Sequence, residues 1–527
     1  MYKIKSVSVA ALTLLLLNAC TMVGPDYKKP ETQIDDQWMN AGSSANHGAN
    51  ASKTQDATWW KSFNDPVLNN LIEEGYKNNL SLQSTGMKVL QARALLAQSV
   101  GELYPQQQSL SANYSRQSMG DGGINSDTRS SNFDIASTKL QASWEPDFWG
   151  KYRRAIRADD ASFLSSLAAY DDALVSLTAE IGTIYVAIRM YQAQVSVTEK
   201  SIAVQKESLR LVQNRYQLGQ VSQSDVEQAI TSLSQTEASL PPIKTDLQQE
   251  KDALAVLLGT TPNKVDGLLL SKIANTTSNK IPVAPSSVAV GIPKDILRQR
   301  PDVRQAELEA IAQSEGIGAI KAQLYPAFSL IGRFGYSASN MNDSSTNGLF
   351  QWSNRSYSIG PSVSLPLLNY GQITNQVRQQ DAVFQQAIFN YQNVVLNAQK
   401  EVQDGIVSYI EAQKTLKSMT AANTAALKTT QLTLIRYQEG EVDYSDVLNA
   451  KISQLNVQLS LINAQGSVPQ DIILLYRALG GGWQIRQGDD VVSDDVKKQM
   501  SDRTNWGNML NANSAADNPP SSVLPSW

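Results

Sequence analysis

Apolar residues recur at alternating spacings of four and three over a long span: Phe163, Leu167, Tyr170, Leu174, Leu177, Ile181, Ile184, Ile188, Tyr191 and Val195. Leu209, Val212 and Tyr216 continue the register. Such a heptad seam predicts helices packed with a left-handed supercoil. Lys151 to Leu218 spans 68 residues, roughly 100 Å of helix at 1.5 Å per residue. Gly219 ends it, and a return helix follows from about Ser222 to Leu258. Pro241-Pro242 should kink that helix, because neither nitrogen can donate to the ladder. Upstream, Asp65-Pro66 opens a first helix with an acidic cap and Pro at the first helical position. It runs, with a break near Asn78-Asn79, to Tyr104-Pro105.

Elsewhere the period falls to two. Leu140, Ala142 and Trp144 alternate with Lys139, Gln141 and Ser143, within two stretches at 106–118 and 132–145. Later, Phe328, Leu330, Phe334 and Tyr336 alternate with Ser329, Arg333 and Ser337. After a polar loop, Tyr357, Ile359, Val363 and Leu365 alternate with Ser358, Gly360, Ser362 and Ser364. These read as four strands, each with one apolar and one polar face. At roughly ten to thirteen residues they are long enough to cross a bilayer when tilted. A soluble hairpin packed on a helix would alternate in the same way.

The whole pattern occurs twice. RYQLGQVSQSDVEQA, Arg215 to Ala229, returns as RYQEGEVDYSDVLNA, Arg436 to Ala450, an offset of 221. Leu103-Tyr104-Pro105 returns as Leu324-Tyr325-Pro326, Gly150 as Gly371, and Leu258-Gly259 as Leu479-Gly480. The chain is internally duplicated, with a repeat far longer than solenoid periods. The domains expected are a signal peptide at 1–19, a tether at 20–64, a first repeat at 65–262, a linker at 263–295, a second repeat at 296–483 and a polar tail at 484–527.

Composition narrows the function. Charged residues are only 18% and aromatics 7%, with long tracts of Gln, Asn, Ser, Thr and Ala. Those residues suit helices wetted on more than one face better than a thick globular core. A net charge of −4 offers no basic surface for nucleic acid. No long uninterrupted apolar run predicts a transmembrane helix. The only cysteine, Cys20, follows Lys3, Lys5 and the short apolar run Val7 to Leu17, the layout of an export signal. Leu17-Asn18-Ala19-Cys20 resembles the bacterial lipoprotein box, which implies a covalent lipid on Cys20 as the sole prosthetic group. Thr21 after it implies sorting to the outer membrane. His47, the single histidine, has no second ligand nearby, so no metal site is expected. One His and one Cys leave no nucleophile–base pair, and no phosphate-binding Gly loop is present. The expectation is a chain that is not an enzyme.

Four strands cannot close, and an open sheet edge in lipid leaves backbone groups unpaired at several kcal/mol each. Several copies around an axis would close it, and three would give about twelve strands. The same axis would turn the long helices into a palisade around a wet interior. A coiled-coil rod would also show heptads, but it leaves the strands unexplained.

Cys20 with Val23-Gly24-Pro25-Asp26-Tyr27, Trp59-Trp60 before Asp65-Pro66, Leu71-Ile72 and Ala92-Arg93-Ala94 form an ordered set. The Leu-Tyr-Pro pair, Gly291-Ile292-Pro293, Arg300-Pro301-Asp302-Val303, both Arg-Tyr-Gln segments and Ala478 to Trp483 complete it. In this set the chain resembles the outer-membrane factors of the TolC/OprM type, in their NodT-like lipoprotein branch. The resemblance implies an α+β membrane protein: a trimeric outer-membrane β-barrel, four strands per chain, continued by a long periplasmic α-helical barrel. It implies a Gram-negative outer-membrane location, lipid-anchored and spanning. The role implied is a passive exit duct, served by a periplasmic adaptor (membrane fusion protein) and an inner-membrane pump of the RND type. The duct of a type I polypeptide exporter and, in another class, a structural envelope lipoprotein are the alternatives.

By the same resemblance the two Arg-Tyr-Gln hairpins form the periplasmic tip, turning at Gly219 and Gly440. Asp446 would line a closed aperture, and Tyr437 would bond to Asp225 on the neighbouring hairpin. Arg436 and Glu441 flank the second turn. Glu441 and Asn449 depart from residues common in the family. Helix capping is the competing role for Asp225 and Asp446.

Overall fold

In a computed structural model of the chain, the described residues are 22–35, 38, 57–119, 131–270, 280–285, 297–340, 346–486 and 489–510. The signal segment, Cys20, Thr21 and His47 lie outside them.

Asp65 caps α1 (Pro66–Asn78) by accepting from Val67 and Leu68 N–H at 2.9 and 3.3 Å. Asn79 ends it and caps α2 (Leu80–Gly101), its side chain accepting from Leu82 N–H at 2.8 Å. The expected break therefore sits at one residue that serves two helices. β1 (Gln107–Met119) and β2 (Ser131–Trp144) follow. Then α3 (Lys151–Gln217) runs 67 residues and α4 (Gln223–Leu257) returns over 35. After the short α5 (Pro262–Leu269) come α6 (Pro301–Lys321), β3 (Ala327–Ser339) and β4 (Arg355–Ser364). Then α7 (Gln372–Gln438) and α8 (Tyr444–Ala478) repeat the lengths of 67 and 35. Every boundary of the two long hairpins obeys the 221-residue offset.

The strands form one antiparallel sheet in the order β1-β2-β3-β4, which leaves β1 and β4 as free edges. Leu110 lies opposite Leu140, Leu140 opposite Phe334 and Phe334 opposite Tyr357, so the pleat puts the apolar positions on one face. That face is bare: Leu110, Tyr114, Tyr357, Ile359 and Val363 are all exposed. Among the described residues no helix packs on it, as a soluble hairpin would require. One window of α3 is apolar enough to span a membrane by composition, but 61% of it is buried in the helical packing.

The main core sits around the middle of α3, where α1, α2, α8 and the turn Trp59–Phe63 meet it. Trp59 is fully buried and stacks on Tyr476, with ring centroids 5.8 Å apart. The Asp65 carboxylate also accepts from the Tyr185 hydroxyl at 2.7 Å, tying the first helix to α3.

Three expectations need correction. The tether is not loose where it is described: Val23 N–H bonds to Trp149 O at 3.0 Å, Lys29 pairs with Glu307 at 2.6 Å and Gln399 donates to Gln33 O at 2.8 Å. Its polar composition hid a strap whose backbone groups bond to Trp149 and to α7 and whose Lys29 side chain reaches α6. The linker begins with α5, whose Val265 and Leu269, four residues apart, are both buried. The polar tail also packs. Arg486 pairs with buried Asp171 at 3.1 Å, and α9 (Asp494–Arg503) turns Met500 inward beside buried Val491 and Val492. A few apolar residues among many charges suffice for that. The helix α4 continues through Pro241 and Pro242, and α8 has its own internal proline, Pro469.

Candidate functional site

The two hairpin turns share one backbone design. Gly219 and Gly440 have φ of 71° and 77°, the left-handed region that an L side chain enters at a cost of about 1–2 kcal/mol. At the first turn Gln220 N–H bonds to Arg215 O and Gly219 N–H to Tyr216 O. At the second, Glu441 N–H bonds to Arg436 O and Gly440 N–H to Tyr437 O. Both are Schellman closures, which satisfy the orphan carbonyls at the end of each long helix.

A separate apolar cluster, remote from the main core, holds the two hairpins together. Val212 and Ala229 of the first hairpin meet Tyr437, Tyr444, Val447 and Leu448 of the second. The Tyr437 and Tyr444 rings lie 5.5 Å apart, and the Arg215 guanidinium sits over the Tyr437 ring at 5.1 Å. The Tyr444 hydroxyl bonds to that of Ser208 at 2.9 Å. Burial raises the Tyr444 pKa, and the Ser208 bond opposes that shift. Arg215 opens the repeated motif, whereas Ser208 and Tyr444 carry no sequence signal of their own role. Tyr444 falls inside the repeated motif, where Gln223 occupies its place in the first copy, but nothing local marks Ser208.

The residues that were singled out separate into distinct roles. Asp225 belongs to a capping box: its carboxylate accepts from Ser222 N–H at 2.9 Å and Ser222 Oγ–H at 2.7 Å, while Ser222 Oγ accepts from Asp225 N–H at 3.3 Å. The expected Tyr437–Asp225 bond is not formed within the chain. The Tyr437 hydroxyl is buried with no partner, and Asp225 is committed to local capping, which closes its own loop first. Asp446 lies on the first turn of α8, exposed. Its amide bonds to Asp443 O at 3.1 Å, but no side-chain bond caps this helix. Capping therefore accounts for Asp225 and leaves the Asp446 carboxylate free. Arg436 and Glu441 pair at 3.1 Å, both more than half exposed.

Above the tip, α3, α7 and α8 enclose a groove of about 520 Å³ lined by Val204, Leu434, Leu455 and Lys451 among others. Burial lowers the Lys451 pKa. No part of the tip assembles a nucleophile with a base. It presents a rigid double turn with a free carboxylate and an apolar groove behind it, a geometry for lining and docking.

The family described as "Outer membrane efflux protein" matches residues 71–260 and 292–481, the two copies of the repeat. Nodulation protein T of Rhizobium leguminosarum bv. viciae is 29% identical over 475 residues, covering 90% of this chain and 93% of that protein. The solvent efflux pump outer membrane protein SrpC of Pseudomonas putida is 27% identical, covering 91% and 99%. Among solved structures, the outer-membrane channel OprN superposes with a TM-score of 0.78 at 27% identity, covering 88% of this chain and 99% of that one.

Proposed function

The chain belongs to the outer membrane efflux protein family, and from that premise we propose that it is the outer-membrane duct of a tripartite efflux system. One observation carries the reading: a four-stranded sheet with a bare apolar face and two unpaired edges is continuous with helices of 67 residues. Such a sheet is stable in lipid only when closed, and three copies close it with about twelve strands. The helices then prolong the pore by roughly 100 Å into the periplasm. Lipid on Cys20 anchors the assembly, since acyl chains contribute about 0.8 kcal/mol per buried CH₂.

The duct supplies no energy of its own. A periplasmic adaptor docks at the tip, where Gln220 and the groove beside Lys451 are open, and an RND-type inner-membrane pump drives export. The duct does not choose the cargo: relatives on this frame are named for nodulation and for solvent efflux. Asp446 lines the aperture at the tip, where a ring of carboxylates around a narrow axis favours cations.

Photo-crosslinking from a reactive side chain at Gln220 tests the docking reading, because Gln220 is exposed and lies outside the capping box. Capture of an RND-type adaptor is the expected result. Capture of the adaptor of a polypeptide exporter would reassign the cargo, and capture nowhere but at control sites would remove docking at the tip. Asp446→Ala should weaken cation selectivity in a bilayer recording. An unchanged reversal potential would take Asp446 out of the constriction.

A further inference from the structure

The internal repeat lets a contact seen inside one chain describe the contact between chains. Within the chain, β2 of the first copy pairs with β3 of the second. The counterparts of those strands are β4 and β1, the two free edges. The helices carry the same imbalance. Ala168 and Val175 of α3 are 2% and 3% exposed, whereas Phe389 and Leu396, 221 residues on in α7, are 62% and 54% exposed. What covers the first copy is missing from the second until another copy supplies it.

The register follows from the pairing. Residue numbers of every β2–β3 pair add to 474, as for Ile135 with Ser339 and Leu140 with Phe334. Carrying β2 onto β4 adds 221, since Ser143 corresponds to Ser364. Carrying β3 back onto β1 removes only 220, because Gln107 faces Ser143 where Ala327 faces Ser364. The additional residue in the first copy is Gln106. Its side chain donates to Glu102 O and Glu145 O at 3.0 and 3.1 Å and accepts from Glu145 N–H at 2.7 Å. The transferred sum is therefore 475, one higher than inside the chain.

The bilayer requires an odd sum for a separate reason. The apolar face falls on odd numbers in β4 (Tyr357, Ile359, Val363) and on even numbers in β1 (Leu110, Tyr114). An even sum would turn one strand's apolar side into the lumen, since a one-residue slip exchanges the faces.

The repeat also places an aromatic pair below the sheet. Trp149 stacks on Tyr325 at 4.9 Å and its indole N–H donates to Pro326 O at 2.8 Å. The counterparts are Tyr370, Tyr104 and Pro105. Tyr370 is 94% exposed and Tyr104 59% exposed in the single chain.

We propose that β4 of one copy pairs antiparallel with β1 of the next so that paired residue numbers add to 475, with Tyr370 of one copy stacked on Tyr104 of the next. Ser364 then faces Ser111, Ser362 faces Asn113 and Val363 faces Ala112 across the seam. This rests on closure by copies of the chain and specifies how they meet.

Disulfide trapping in membranes tests it, with single-cysteine variants controlling for Cys20. Ser364→Cys with Ser111→Cys should oxidise to covalent dimers and trimers. Ser364→Cys with Ser109→Cys or with Asn113→Cys, each two residues out of register, should give at least about fivefold less, because diagonal neighbours lie beyond disulfide reach. The lipid-facing pair Val363→Cys with Ala112→Cys reads the same register should the first pair fail to assemble. A stronger yield from Ser109→Cys or Asn113→Cys would overturn the register and leave closure standing. If no seam pair links chains while the in-chain control Ser137→Cys with Ser337→Cys closes, closure by copies falls with it.

Discussion

The two copies of the repeat share helix lengths and turn geometry yet differ in what their polar groups do. At the first tip Ser222 and Asp225 satisfy one another and the backbone. At the second, Asp443 caps nothing, Arg436 pairs with Glu441, and Asp446 stays free. Midway along the helices the first copy has Asp171 and Asp172, where the second has Gln392 and Asn393. Asp171 pairs with Arg486, while Gln392 donates to Glu31 O of the N-terminal strap at 3.2 Å. Duplication preserved the backbone solution and released the side chains, because hydrogen-bonded helices and Schellman turns constrain few residue types.

The largest difference should appear at the C-terminal glycines of the return helices. Gly259 and Gly480 have φ of 59° and 73°. A Cβ at Gly259 would lie 2.1 Å from the Asn78 carbonyl oxygen, whereas at Gly480 the nearest atom is Arg300 Cγ at 3.0 Å. Gly259→Ala should lose about 3 kcal/mol or more, from left-handed strain plus a backbone clash. Gly480→Ala should lose less, about 1–2 kcal/mol of strain plus a small shift of Arg300, whose Cγ and Cα stand 3.0 and 3.2 Å from the new Cβ. Denaturation of the two purified variants side by side measures the gap, and equal losses would mean the Asn78 junction yields.

Asp172 offers a comparison in pH. Its pKa is pushed up to about 6, chiefly by burial and also by Asp302 and Glu401, against the pull of Arg300 and Arg477. An acid whose folded pKa lies above its unfolded value of about 3.9 stabilises the fold least when ionised. Its contribution is therefore full below about pH 4 and lost as pH rises through about 6. Asp172→Asn, which copies Asn393, should raise the unfolding midpoint at pH 7.5, raise it about half as much at pH 5 and change it little below about pH 4. Parallel pH profiles for the two proteins would exclude Asp172 as the cause.

The tips should differ by less. Ser222→Ala removes a formed cap and should cost about 1 kcal/mol, while Asp443→Ala should be nearly neutral. Faster amide exchange at the start of α4 alone is the expected signature. Smallest of all, Glu441→Ala breaks an exposed pair and should change stability by no more than about 0.5 kcal/mol. A larger loss would show that the second tip depends on it as the first depends on Ser222.

Much of this was legible beforehand. Heptads and a constant offset determined the helices, their lengths, the turns at Gly219 and Gly440 and the four strands, because periodicity and left-handed glycines are local properties of the chain. The packed strap at 22–35, α5 and the region after Arg486 escaped, since their partners lie far away in sequence and polar composition conceals a few anchoring contacts. Capping competed with the tip role at both Asp225 and Asp446, since both sit three residues after a possible cap, and only the fold shows Ser222 bonding while Asp443 does not. The sequence by itself determined that there are two copies and where each begins. Only the tertiary structure decided how they meet, because Gln106 shifts the offset by one residue just before β1. Strand pairing, which no repeat count records, sets the faces of the sheet.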